Sequence, residues 1–151
     1  MGFGLPAAIG AALAQPERTV LCFSGDGSLM MNIQELATAA EENVNVKVIV
    51  LNNQGLGLVR QQQDLFYGRR LFASDFRASV DFCKIAEGFG MRWCDLADAS
   101  NSARSLEQAL AQPGPCLIHA PIHAAERVFP MVPPGAANRD MIGGEADEET
   151  A

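Results

Sequence analysis

A parallel α/β sheet is the fold class that this 151-residue sequence predicts, and three observations carry that prediction. Thr19–Phe23 is a short apolar run, followed closely by the turn-forming Gly25-Asp26-Gly27-Ser28. Met31–Glu42 places Ile33, Leu36, Ala37 and Ala40 three and four residues apart, the spacing of one helix face. Val46–Leu51 is a second apolar run and closes on Asn52-Asn53. Strand, helix and strand in so short a span form a βαβ crossover. Its strands run parallel, with their C-terminal ends side by side.

That geometry sets a site. Asp26 and Asn53 follow the ends of neighbouring parallel strands, at the edge where open α/β sheets take ligands. A carboxylate and an amide oxygen are hard donors that suit Mg²⁺, which completes its octahedron with phosphate oxygens. Gly27 and Ser28 offer backbone N–H groups near a helix start, where phosphate is favoured.

The other elements follow in order. Met1–Ala14 reads as a tight turn into a helix with Pro6 in its first turn. Its glycines and alanines imply a surface approaching closely, either within the domain or from a subunit or cofactor. Gly2-x-Gly4-x-x-Ala7 imitates a dinucleotide fingerprint, but that fingerprint needs a strand directly before it. An opening on a glycine turn is expected of a sheet lacking its first strand, from a protein that begins upstream or from a fragment. Beyond Asn53, Gly55 and Gly57 allow the backbone to approach a ligand. A helical run then carries Leu58, Val59, Leu65 and Phe66. Tyr67–Ser79 has no period and reads as a loop. Arg60, Arg69, Arg70 and Arg77 read as solvated surface in preference to anchors for a substrate carboxylate. Asp81–Glu87 is expected to be a short helix ended by Gly88, and Met91–Leu96 a strand with Trp93 in the core. Ser102–Ala111 is a helix capped by Asn101 or Ser102, and Pro115–Ile122 a last strand. Phe129–Ala136 reads as extended and irregular.

Composition excludes several classes. All 11 basic residues and 13 of the 18 acids lie in 1–139, so that part is nearly neutral. The acidic excess belongs to 140–151, a tail with Asp140, Glu145, Asp147, Glu148 and Glu149 that is expected to be disordered. There is no basic stripe for nucleic acid and no apolar run long enough for a membrane span. The first residues lack the basic leader of a signal peptide. Cys22, Cys83, Cys94 and Cys116 form no Cys-x-x-Cys pair and read as reduced, structural thiols of a cytoplasmic protein. His119 and His123 flank Pro121 in a strand-like run, which gives no helical metal pair.

Gly25-Asp26-Gly27, followed after residues 28 to 51 by Asn52-Asn53, resembles the thiamine-diphosphate signature. Met1–Ala14, Gly25–Leu36, Asn52–Gln63 and Met131–Ala136 further resemble the large, catalytic subunit of acetolactate (acetohydroxyacid) synthase. The Gly57–Gln63 run with its preceding Gly55-Leu56 is similar to the bacterial isozyme I type. The resemblance extends to about Ile142 and covers only that enzyme's C-terminal, diphosphate-binding domain. It implies a three-layer thiamine-diphosphate-binding fold over 1–139. Asp26, Asn53 and the Gly55 carbonyl would hold Mg²⁺. Gly25, Gly27, Ser28 and Leu56 would hold the cofactor, and Met1 would wedge it into its bent form. Leu58 would cover the reacting carbon. Val59 stands where some related decarboxylases carry a glutamate, and an apolar residue there is consistent with carboligation. Gln62 replaces a tryptophan associated with 2-ketobutyrate preference and sulfonylurea sensitivity, which implies less of both.

The implied reaction decarboxylates pyruvate and joins the remaining two carbons to a second 2-ketoacid. The activating glutamate would lie in an N-terminal domain outside this sequence, contributed across a homodimer. The 151 residues alone are therefore expected to be inactive. FAD would belong to the longer parent and not to this domain, and a regulatory small subunit is a further expected partner. Three alternatives stand beside this reading: pyruvate oxidase, glyoxylate carboligase, and a non-catalytic Mg²⁺-diphosphate binding module.

Overall fold

The hydrophobic runs pair as the sequence implies. The structure, a computed structural model, describes residues 1–98 and 100–143. Of the tail 140–151 that the sequence marks as disordered, 144–151 lies outside the described residues, whereas Asp140 closes a 3₁₀ turn (Asn138–Asp140) and Ile142 exchanges backbone hydrogen bonds with Met131 at 2.9 and 2.8 Å. Four strands form one sheet: β1 (Val20–Gly25), β2 (Val46–Asn52), β3 (Arg92–Asp95) and β4 (Cys116–Pro121), in the order β1-β2-β4-β3. Every pairing is parallel, and Gly25 lies opposite Leu51. The C-terminal ends of β1 and β2 therefore meet at one edge.

β2 is central and buried on both faces, which explains its near-continuous apolar run. Val46, Val48 and Val50 are fully buried against a layer of helices. That layer holds α1 (Gly4–Ala14), α2 (Asp26–Leu29), α3 (Glu35–Glu41) and α5 (Phe82–Gly88). Each fully buried valine contributes about 1.5–3 kcal/mol. Ile49 and Ile118 face the other way and pack on α6 (Ser102–Ala111) through Leu106, Ala109 and Leu110. α4 (Gly57–Phe66) follows β2. Helices lie on both faces, so the layer class holds.

Lys47 shares the α6 face at the opposite end of β2 and is fully buried. Its ammonium donates to the Gln112 and Gly114 carbonyls at 2.6 and 2.5 Å and to Asn45 Oδ1 at 2.9 Å. It ties the chain entering β4 to the start of β2. Loss of solvent lowers its pKa.

Several elements differ from the sequence expectation. The single helix expected over Met31–Glu42 is instead a 3₁₀ turn (Met30–Asn32) followed by the shorter α3, with α2 a separate short helix before them. The cause is tertiary. Gly2 N–H donates to Ser28 Oγ at 2.9 Å and Asn32 Nδ2 donates to the Gly2 carbonyl, so this segment follows the N-terminal turn. Ala39, not Ala37, completes the buried face with Leu36. Trp93 is 48% exposed and not in the core, because β3 is an edge strand of only four residues. α5 is capped by Asp81, whose carboxylate accepts the Lys84 N–H at 3.0 Å. Gly88 is its last helical residue, and the reversal falls at Gly90. Asn101 occupies the N-cap position of α6 without a side-chain capping bond. No described helix is long and apolar enough to cross a membrane.

Candidate functional site

Two strand ends build the site. β1 stops at Gly25 and the chain turns directly into α2, so Asp26 enters the interior and is only 3% exposed. Its Oδ1 accepts the Gly27 N–H at 2.8 Å and its Oδ2 the Gly55 N–H at 3.1 Å. No cationic side chain forms an ion pair with it among the described residues.

β2 supplies the other side. Past Asn52 the chain makes a narrow loop, Asn53–Leu56, pinned along its length. Leu56 N–H donates to the Ser74 carbonyl at 2.7 Å, and Phe76 N–H donates to the Gln54 carbonyl at 2.9 Å. A Cβ at Gly55 would stand 2.6 Å from the Ser74 carbonyl oxygen, and one at Gly57 would stand 2.5 Å from Asn53 Nδ2. The Ser74 oxygen is backbone and fixed, so position 55 requires glycine, whereas at 57 the Asn53 amide would have to move aside.

The donors left over define the chemistry. Among the described residues, the Asn53 side chain and the Gly55 carbonyl take part in no hydrogen bond. A buried carboxylate is costly until a positive charge joins it. The carboxylate of Asp26, the amide oxygen of Asn53 and the Gly55 carbonyl make an all-oxygen set of the kind Mg²⁺ takes. On that test the residues fit a hard divalent cation.

A cavity of about 440 Å³ opens over this set, within the usual range for a small cofactor. Met1, Gly25, Asp26, Gly27 and Ser28 line one side, and Asn53, Gly55, Leu56 and Leu58 line the other. The structure thus gathers every site residue read from the sequence except Gln62. Gln62 is exposed on α4 and lines a separate concavity with Val59, Tyr67 and Arg70. Of the two sequence-derived phosphate donors, the Gly27 N–H is given to Asp26; at Ser28 it is the hydroxyl that is engaged, accepting the Gly2 N–H. Arg60 and Arg69 are held at 3.1 Å by Asp75 and at 3.0 Å by Asp64, in keeping with a surface role.

Sequence reasoning missed Gln61. This side chain is 4% exposed, and its amide grips both backbone groups of Val128, each at 2.9 Å. Arg127 pairs with Asp64 beside it. The segment carrying Glu126, Arg127 and Val128 thereby becomes a wall of the cavity. A polar residue on the inner face of α4 was the only signal.

Fold and cavity are those of an α/β domain with an oxygen-lined ligand site at its strand ends. Residues 1–120 match the family described as thiamine pyrophosphate enzyme, C-terminal TPP binding domain, and the chain belongs to that family. It is 59% identical to the Escherichia coli acetolactate synthase isozyme 1 large subunit, over 95% of this chain and 25% of that protein. It is 44% identical to the E. coli isozyme 2 large subunit, over 94% of this chain and 26% of the relative. The chain thus spans about a quarter of the length of these curated relatives. Among solved structures, the Rhodococcus jostii thiamine diphosphate-dependent 4-hydroxybenzoylformate decarboxylase superposes with a TM-score of 0.77. It is 36% identical and matches 84% of this chain and 24% of its own.

Proposed function

We propose that this chain is the diphosphate-binding part of an acetolactate synthase large subunit. In this reading it serves the condensation of two pyruvates, or of pyruvate with 2-ketobutyrate, with loss of CO₂. The observation that carries the reading is the buried, unpaired Asp26 beside two free oxygen donors, in a chain 59% identical to such a subunit. Asp26, Asn53 and Gly55 would hold Mg²⁺, which would in turn take the diphosphate. Met1, Gly25, Gly27, Ser28 and Leu56 would shape the pocket around thiamine diphosphate. When bound, that cofactor supplies the carbanion chemistry. Leu58, at the mouth of the same cavity and 54% exposed, would present an apolar cover to the substrate side.

In the same proposal residues 1–139 are the cofactor domain and 140–151 an appended acidic tail of a cytoplasmic protein. The longer parent would be a homodimer, would supply the activating glutamate and any FAD site, and would take a regulatory small subunit. The isolated 151 residues would bind the cofactor weakly and turn over no pyruvate.

The test is product analysis on the intact protein supplied with pyruvate, thiamine diphosphate and Mg²⁺. Acetolactate is expected, and its formation should stop on chelation of the metal. Acetyl phosphate or acetate formed with oxygen uptake would favour pyruvate oxidase. No product from pyruvate, but condensation of glyoxylate, would favour glyoxylate carboligase. Diphosphate binding with no turnover of either substrate would leave the binding module. Acetolactate made by the isolated chain would overturn the expectation that it is inactive alone.

A further inference from the structure

The geometry points to a relay of three side chains, Asp95, His119 and Asn52, that positions the cation-holding loop from behind. This rests on the reading of Asp26, Asn53 and Gly55 as the cation site.

The three residues lie on neighbouring strands, at or near their C-terminal ends. Asp95 closes β3 and is registered opposite His119 on β4, and Asn52 closes β2. Asp95 Oδ1 lies 2.9 Å from His119 Nδ1, and His119 Nε2 lies 3.0 Å from Asn52 Nδ2. Asn52 Oδ1 then accepts the Gln54 N–H at 3.1 Å.

Chemistry gives this chain one direction. The Gln54 N–H can only donate, so it fixes the Asn52 oxygen on its own side and turns the amide NH₂ toward His119. His119 Nε2 must then accept, which places the ring hydrogen on Nδ1. Asp95 takes that hydrogen as a carboxylate acceptor. Phe82 stacks on the imidazole, with ring centroids 6.2 Å apart, and holds its plane.

The end of the relay is the residue that needs it. Gln54 has φ +58°, a left-handed conformation that a non-glycine residue adopts only when its surroundings impose it. This one residue reverses the chain between Asn53 and Gly55. The relay therefore holds the turn that presents two of the three oxygen donors. Cys83 Sγ lies within 4.8 Å of the Asp95 and His119 ligand atoms. Both imidazole nitrogens are already engaged in the relay, so a positioning role describes the cluster better than a second metal site.

The test uses the intact protein, with Mg²⁺ affinity read by calorimetry in the presence of thiamine diphosphate. His119→Leu cannot accept from Asn52, whereas His119→Gln offers an amide oxygen near the place of Nε2. His119→Leu is expected to weaken Mg²⁺ binding roughly tenfold, as loss of a supporting partner behind a ligand does. It should also speed exchange of the Gln54 amide in the ligand-free protein. His119→Gln should restore most of both while sharing any loss of melting temperature. Unchanged affinity in His119→Leu, or equal weakening in both variants in step with stability, would overturn the relay. Asp26→Asn serves as the control on the site itself. If it leaves Mg²⁺ affinity intact, the site reading fails and the relay's purpose with it; if it alone abolishes binding, only the relay fails.

Discussion

The carboxylate of Asp26 accepts the amide N–H of Gly55 at 3.1 Å, joining two turns that lie 29 residues apart in the chain. The two strand ends are thus one construction, fastened backbone to side chain before any ligand arrives. Gly55 makes this possible because its α-carbon is pressed against the Ser74 carbonyl.

Gly55→Ala should therefore act on the fold. The added methyl would stand 2.6 Å from a backbone oxygen that cannot rotate away. A loss of about 1–3 kcal/mol is expected, the usual cost of overpacking, and denaturant unfolding would measure it. Gly57→Ala meets the end of the Asn53 side chain at 2.5 Å instead. That amide can swing aside, so Mg²⁺ affinity should fall more than stability. The reverse ranking would show that Asn53 is not a ligand.

Gln61→Leu should loosen the cavity wall. It removes both hydrogen bonds to Val128 and leaves a backbone N–H and a carbonyl without partners. Val128 is 60% exposed, so water takes over part of each bond and a loss of about 1 kcal/mol is expected. Amide exchange at Val128 should accelerate while the β2 core stays protected. Protection unchanged at Val128 would mean that other contacts hold the segment.

Alkaline pH should destabilise the fold through Cys83. Burial, with Asp95 and Asp81 nearby, pushes this thiol up to about 11 from its ordinary value of 9.0. A raised folded pKa means the native state keeps a proton that the unfolded chain has lost. The thiol's contribution is fully present below pH 9 and is lost as pH rises through about 11. Burial raises Cys22, Cys94 and Cys116 in the same direction. Unfolding free energy measured from pH 8 upward should decline, and Cys83→Ala should flatten that decline. An identical slope in the variant would exclude Cys83 as a source.

Gln62→Trp tests the proposed substrate preference. Gln62 and Leu58 are four residues apart on α4, so a large ring at 62 would stand beside the apolar residue at the cavity mouth. The ratio of 2-aceto-2-hydroxybutyrate to acetolactate, with both ketoacids competing in the intact protein, should rise several-fold. A ratio that stays fixed would remove Gln62 from the specificity determinants. Its position on the surface, outside the cavity over Asp26, makes that outcome informative.

Much of this was legible along the chain. The apolar runs Thr19–Phe23 and Val46–Leu51 and the glycines beside Asp26 and Asn53 are local properties. A short crossover between such strands leaves one way to pair them, so the sequence by itself determined the parallel sheet and the meeting of Asp26 with Asn53. Periodicity could not reveal what long-range hydrogen bonds impose. The helix over Met31–Glu42 gave way to the N-terminal turn that captures Ser28 and Asn32. Tertiary structure alone brought Val128 to Gln61, 67 residues away. It also joined Asp95, His119 and Asn52 behind the loop. Those partners lie on separate strands and segments, and only the closing of the sheet sets their distances. A side chain's own period carries no record of which distant donor it will meet.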